Sequence, residues 1–125
     1  MNKTTTRTAT IFMDEHNVLY MIMLEGVRLD LEDAVDNALV IKNLSEGTKV
    51  LKLIDARVSF SMDRKAREFV KSVDLKQTIA RAVVKGSTIS ILLLKFFTGI
   101  SKPKIPTKIF SDYDEAYKWL LSFKE

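Results

Sequence analysis

The chain has 125 residues, of which 46% are hydrophobic and 29% charged, with a formal net charge of +4 at pH 7 and no cysteine. This composition is ordinary for one globular domain and excludes a disordered chain, disulfides, thiolate nucleophiles and cysteine-ligated zinc. The start of the chain lacks the apolar run of a secretory signal, and the longest apolar stretch, 89–97, is far shorter than the roughly 20 residues of a membrane span. We expect one cytoplasmic domain whose residues 1–6 are flexible.

The first half of the chain predicts a hairpin, a helix and a strand. Residues 8–13 and 18–24 are β-rich, and the polar residues 14–17 between them indicate a hairpin turn. Apolar residues then recur at helical spacing over 31–39, with Asp30 as the N-cap. A short buried strand follows over 50–54 and ends at Asp55.

The second half continues the alternation of helix and strand. Ser61 is predicted to cap a second helix, with Asp63 in its first turn. A strand over 79–85 precedes a third helix that begins at Ser87 or Thr88 and runs to about Thr98. A short strand over 108–110 and a helix capped by Asp112 complete the chain, and the side chains of Trp119 and Leu120 are expected to pack on the sheet. The order predicts an α/β domain: a mixed β-sheet of about five strands, parallel in its later strands, with about four helices packed on it.

No catalytic, metal or cofactor site is predicted. The single histidine, His16, lies in a polar turn and is expected to be solvated, and one histidine cannot build a histidine-rich metal site. Adjacent acidic residues lie only at turns and helix starts, where local propensity accounts for them. The four glycines form no phosphate-binding loop.

One loop stands out as a candidate switch or binding site. It follows a buried strand and enters a helix N-terminus, a place where α/β proteins often bind ligands. Its polar residues are Asp55, Arg57, Ser59, Ser61 and Asp63. The alternative is structural: Asp55 pairs with Arg57, and Ser61 caps the helix.

This loop also carries a family resemblance. Asp55, Val58-Ser59-Phe60 and Met62-Asp63 resemble the switch segment of STAS domains, in which a partner kinase phosphorylates a serine at the helix start. The C-terminal part resembles small uncharacterised bacterial proteins described as STAS-like or SpoIIAA-like, through Phe96-Phe97, Gly99, Lys102-Pro103, Pro106-Thr107, Ile109-Phe110, Glu115-Ala116 and Trp119-Leu120. The resemblance covers most of residues 7–123 and implies a single SpoIIAA-like domain.

The chain departs from that pattern at the switch itself. Arg64, Lys65 and Ala66 stand where the resemblance would place the phosphoacceptor serine and its glycine neighbour. We therefore predict no stoichiometric phosphate on Ser59 or Ser61. The phosphorylation switch of STAS domains cannot be assigned directly to this loop.

Charge is distributed unevenly along the chain. Residues 14–46 hold eight acidic residues and two cations, whereas residues 75–111 hold no acidic residue. The cations of the second segment are Lys76, Arg81, Lys85, Lys95, Lys102, Lys104 and Lys108. Two interpretations stay open, solvated faces of different charge and a cationic surface that recruits an anionic partner.

The predicted third helix is apolar around most of its circumference, so one face has no assigned partner. A neighbouring helix, a second copy of the chain, a membrane surface or an apolar ligand would each cover it. We take a homodimer contact as the working hypothesis, with candidate interface residues Leu93, Phe96 and Phe97 and, at the rim, Lys95, Lys102 and Lys104.

The resulting functional expectation is a non-enzymatic regulatory or scaffolding domain that acts by protein–protein interaction. The alternative is a binder of anionic lipid or of a small apolar ligand, favoured by the apolar stretch 89–97 and by a loose likeness of STAS folds to lipid-carrying domains. An enzyme of unrecognised mechanism ranks last. Nucleic acid is disfavoured as a partner because no aromatic residues alternate with the cations, and peripheral membrane contact is not favoured.

Overall fold

The structure is a computed structural model that describes residues 3–98 and 105–124. Its strands are, in chain order, β1 (Thr4–Thr5), β2 (Ala9–Met13), β3 (Val18–Met23), β4 (Arg28–Leu29), β5 (Val50–Ala56), β6 (Ser61–Met62), β7 (Thr78–Lys85) and β8 (Thr107–Phe110). Its helices are α1 (Leu31–Ser45), α2 (Arg64–Gln77), α3 (Ile91–Thr98) and α4 (Tyr113–Leu121).

Six strands form the main sheet in the order β1-β2-β3-β5-β7-β8. The first three pair antiparallel, and β3, β5, β7 and β8 are all parallel. A separate two-stranded sheet joins β4 to β6. Because the crossovers all proceed in one direction across the sheet, right-handed connections place α1, α2 and α3 on the same face.

Alternating side chains of the strands supply a core on each face of the sheet. On one face Leu19, Ile54 and Val83 pack in a cluster with residues of α1, α2 and α3. On the other, Leu53 packs with Leu120 of α4. The sheet therefore separates a three-helix layer from a layer made by one helix.

The hairpin, the mixed sheet and the four helices are confirmed. Three short strands, β1, β4 and β6, were not predicted, and two local predictions are corrected. Asp63, not Ser61, is the N-cap of α2, because its side chain accepts a hydrogen bond from Ala66 N. Ser61 lies in β6, where its backbone N–H donates to Val27 O. The third helix begins at Ile91. Thr4 and Thr5, within the segment expected to be flexible, pair with β2 as β1, and the flexibility of that segment stays a prediction.

An ion pair between Arg7 and Asp33 connects the start of α1 to the segment between β1 and β2. Asp30 and Asp33 form a reciprocal capping box, each side chain accepting from the other's backbone N–H. Arg7 donates from Nε and Nη2 to the two Asp33 oxygens, at 2.9 and 2.5 Å. This bidentate pair lowers the pKa of Asp33 to about 2, although burial acts in the opposite direction.

No helix in the described ranges is long and apolar enough to cross a membrane.

Candidate functional site

A pocket lies between the sheet and the three-helix layer. Its floor comes from β3, β5 and β7, and its walls from α1, α2, α3 and the segment around β6. Together with the solvent at its opening, the space measures about 600 Å³. Most of the lining is apolar.

Small side chains and an incompletely covered strand create this space. Ala34 and Ala38 of α1 are buried and line the pocket, and their small side chains occupy little of the space under the helix. Met21 lies in the middle of a central strand on the helix-covered face, where full burial is expected. It is nevertheless only half-buried and lines the pocket, as do Val70 and Val73 of α2. The pocket is thus continuous with solvent.

Three buried charged residues form the polar wall of the pocket. Asp74 of α2 accepts from Lys52 Nζ of β5 at 3.1 Å and from Arg81 Nη1 of β7. The side chains of Lys52, Asp74 and Arg81 are only 4%, 8% and 6% exposed. Thr78 and Gln77 complete the network, through Thr78 Oγ1 to Asp74 at 3.4 Å and Lys52 Nζ to Gln77 Oε1 at 3.4 Å.

The guanidinium of Arg81 is only partly satisfied. Its Nε is buried and finds no hydrogen-bond partner among the described residues. Nη2 makes one long contact of 3.5 Å with Thr107 Oγ1. The rings of Phe96 and Phe97 lie over the group, with centroids 5.9 and 5.3 Å from Cζ, a geometry that favours a cation.

Burial also changes the pKa of Lys52. Loss of water lowers the pKa of the Lys52 ammonium, and the charge of Arg81 acts in the same direction, while Asp74 opposes both. Positive charge on Lys52 is therefore costly at this site.

Sequence reasoning missed all three charged residues of this wall as site residues. The signal was present for Lys52, because it interrupts a strand that was expected to be buried, and Arg81 lies in the next predicted strand. A charged side chain at such a position needs a partner. The identity of that partner, Asp74, depends on how α2 lies on the sheet.

The predicted switch loop is held by hydrogen bonds within itself and to the neighbouring backbone. Arg57 binds Asp55 through two hydrogen bonds of 2.9 and 2.8 Å, as the structural alternative expected. Ser59 is exposed, and its carbonyl accepts from Gly26 N, whereas Ser61 is half-buried. The five residues are thus neighbours in the fold, but they do not line the pocket. The absence of phosphate on this loop stays a prediction.

The predicted interface residues on α3 differ in their exposure. Leu93 and Phe97 are 2% and 4% exposed and pack in the protein's own core, so they are unavailable to a second copy. Phe96 is half-buried and lines the pocket, and Lys95 is exposed. Lys102 and Lys104 lie outside the described residues. The exposed apolar residues of α3 are instead Ile91 and Leu92.

A second polar cluster lies across the sheet from the pocket. Asp14 accepts from Tyr117 Oη at 2.6 Å and from Tyr20 Oη at 3.4 Å. Burial acts to raise the pKa of Asp14, but hydrogen bonds from Tyr117 and the backbone outweigh it and lower the pKa. Burial, aided by Asp14, raises the pKa of Tyr117 to about 12. These groups keep their ordinary protonation at neutral pH, which indicates a structural role.

Within residues 3–98 and 105–124, no three metal-ligating side chains converge. His16 is exposed in the turn between β2 and β3, as predicted.

Comparison with known proteins identifies the fold and the family. Among solved structures, the chain is similar to an uncharacterised protein of the DUF3478 family with a SpoIIAA-like fold from Shewanella loihica PV-4. The two chains are 17% identical and superpose with a TM-score of 0.61, and the match covers 90% of this chain and 91% of the other. The chain therefore has the SpoIIAA-like fold that its sequence predicted. No functionally curated protein matches. The family model described as Domain of unknown function (DUF7793) matches residues 11–124, and the chain belongs to that family.

Proposed function

We propose that this protein is a non-enzymatic binding domain that holds a small, largely apolar molecule in the pocket between the sheet and helices α1 to α3. The observation that carries this proposal is the pocket itself, a recess that opens to solvent and is lined mainly by apolar side chains. A solvent-accessible apolar lining favours a guest, because covering it removes apolar surface from water. The charged wall then gives the guest one orientation.

The accessible side of the pocket supports exchange of such a guest. Val70, Val73 and Phe96 line the pocket and are only half-buried. A ligand can therefore enter beside α2 and α3 without separating strands of the sheet. Rotation of side chains at the opening is a common and inexpensive adjustment on binding.

A neutral fluorescent probe tests this proposal without any contribution from charge. N-phenyl-1-naphthylamine should bind saturably at one site per chain. Val70→Phe, which fills the pocket, should weaken binding at least about tenfold. Leu75→Phe is the matched control, since Leu75 lies on the same helix, is 43% exposed and does not line the pocket. No saturable binding, or equal effects of the two variants, would contradict the proposal.

Self-association is a second candidate function, favoured by two exposed side chains of α3. Ile91 and Leu92 are 71% and 51% exposed. A two-fold axis through such a patch would bury it against itself, so the proposed occupant is a second copy of the chain.

Sedimentation velocity over a concentration series tests the self-association. The wild type and Leu39→Asp should form dimers, because Leu39, although 54% exposed, lies on α1. Ile91→Asp should stay monomeric. A wild type that remains monomeric at high micromolar concentration would exclude this function and leave the pocket proposal intact.

A further inference from the structure

The charges at the wall of the pocket do not balance. Lys52 and Arg81 are two buried cations, and Asp74 is the carboxylate that both of them contact. With the lysine protonated, this cluster carries one excess positive charge in a region shielded from water. An excess buried charge is strongly unfavourable, and two events relieve it: Lys52 loses its proton, as its lowered pKa favours, or a bound anion compensates the charge and keeps the lysine protonated.

The hydrogen-bonding groups of Arg81 show where compensation is missing. Its Nη1 is committed to Asp74, whereas Nε has no partner and Nη2 has only the long contact to Thr107. Nε and Nη2 point their N–H groups to the same edge of the guanidinium. That edge matches the two oxygens of a carboxylate, which it binds through two parallel hydrogen bonds.

We infer that the ligand of the pocket carries one carboxylate on an apolar body, and that the carboxylate accepts hydrogen bonds from Nε and Nη2 of Arg81. This inference rests on the proposed function and specifies its ligand class. A single negative charge neutralises the cluster of Lys52, Asp74 and Arg81. A phosphate monoester, with about −1.5 to −2 charges at pH 7, would leave the cluster negative.

Entry of the carboxylate requires a local movement of α3 side chains. Arg81 Nε is shielded from solvent, and the rings of Phe96 and Phe97 lie over the guanidinium. Phe97 is 4% exposed and anchored in the core. Phe96 is half-buried at the pocket lining, so its ring is the one that moves aside. The apolar body of the ligand then occupies the space beside Met21.

Three probes that differ only in the head group test the inference: decanoate, decan-1-ol and decylamine, each below micelle-forming concentrations at pH 7.5. Isothermal titration calorimetry should give decanoate an affinity at least about tenfold higher than that of decanol, since a charged hydrogen bond replaces a neutral one. Decylamine should bind more weakly than decanol. Arg81→Met should remove the preference for decanoate, whereas Lys108→Met, a change of an exposed cation on the adjacent strand, should keep it.

The outcomes separate this inference from the function on which it rests. Equal binding of decanoate and decanol by the wild type overturns the carboxylate inference and supports an apolar pocket. Preference for decanoate that survives in a folded Arg81→Met variant overturns the assignment to Arg81. Absence of binding by all three probes overturns both the inference and the proposed function. The wild-type comparison of head groups decides the inference even if Arg81→Met fails to fold.

Discussion

Removal of Asp74 should strongly destabilise the protein. Its carboxylate accepts from Lys52, from Arg81 and from Thr78, and its side chain is only 8% exposed. Asp74→Ala leaves two buried cations without their shared partner. Breaking a buried pair in this way costs about 3–5 kcal/mol, a large part of the ~5–15 kcal/mol that stabilises a typical domain.

Urea denaturation measures this loss directly. The free energy of unfolding of a small protein falls by about 1–3 kcal/mol for each molar of urea, so the urea concentration at the unfolding midpoint should fall by at least about 1 M. Glu68→Ala is the control, because Glu68 pairs with Arg64 on the exposed face of the same helix, with side chains 62% and 84% exposed. Such a pair contributes less than about 0.5 kcal/mol.

A second variant tests whether the lost stability comes from the unpaired buried charges. The combined variant Lys52→Met, Asp74→Leu and Arg81→Met removes all three charges and should recover most of the stability, because apolar replacements of a complete buried cluster are often neutral or stabilising. If Asp74→Ala costs less than about 1 kcal/mol, as little as Glu68→Ala, then the buried charge network does not hold the fold as described.

Two further changes test other contacts. Gly86→Ala should lower the free energy of unfolding by about 1–3 kcal/mol in the same assay, because the added Cβ would lie 2.4 Å from Arg57 O. The control, Ser87→Ala, should change it by less than about 0.5 kcal/mol. Equal effects of the two variants would contradict this close backbone approach. The pKa of Asp33, lowered from 3.8 to about 2 chiefly by Arg7, contributes stability that is present above pH 4 and lost as the pH falls towards 2. Arg7→Gln should therefore lower the urea midpoint at pH 6 and have little effect at pH 2; a midpoint difference independent of pH would contradict this pairing.

Much of the fold is predictable from local sequence patterns. Apolar periodicity, together with breaks at turns, indicated the alternating order and the four helices. The start of α2 was misplaced because Ser61 has good capping chemistry but is recruited by a long-range contact, its backbone N–H donating to Val27. A local pattern carries no information about such a pairing.

The site was less predictable than the fold. The apolar circumference of the third helix was recognised, yet which residues face the core was decided by packing: Leu93 and Phe97 are buried, and Ile91 and Leu92 are exposed. The pocket depends on volume that small residues such as Ala38 leave unfilled between layers. A sequence specifies side-chain sizes, but the space between helices follows from their placement on the sheet. The pocket could therefore not be predicted from the sequence.

The most direct test of ligand binding is a methyl NMR titration of protein labelled at its methionines. Met21, Met23 and Met62 line the pocket, whereas Met13 lies on the same face of the sheet, outside the lining. Addition of decanoate should shift the methyl signals of the three pocket methionines along one saturable curve and leave Met13 nearly unchanged. Unchanged pocket signals, or a shift of Met13 as large as theirs, would contradict binding in this pocket.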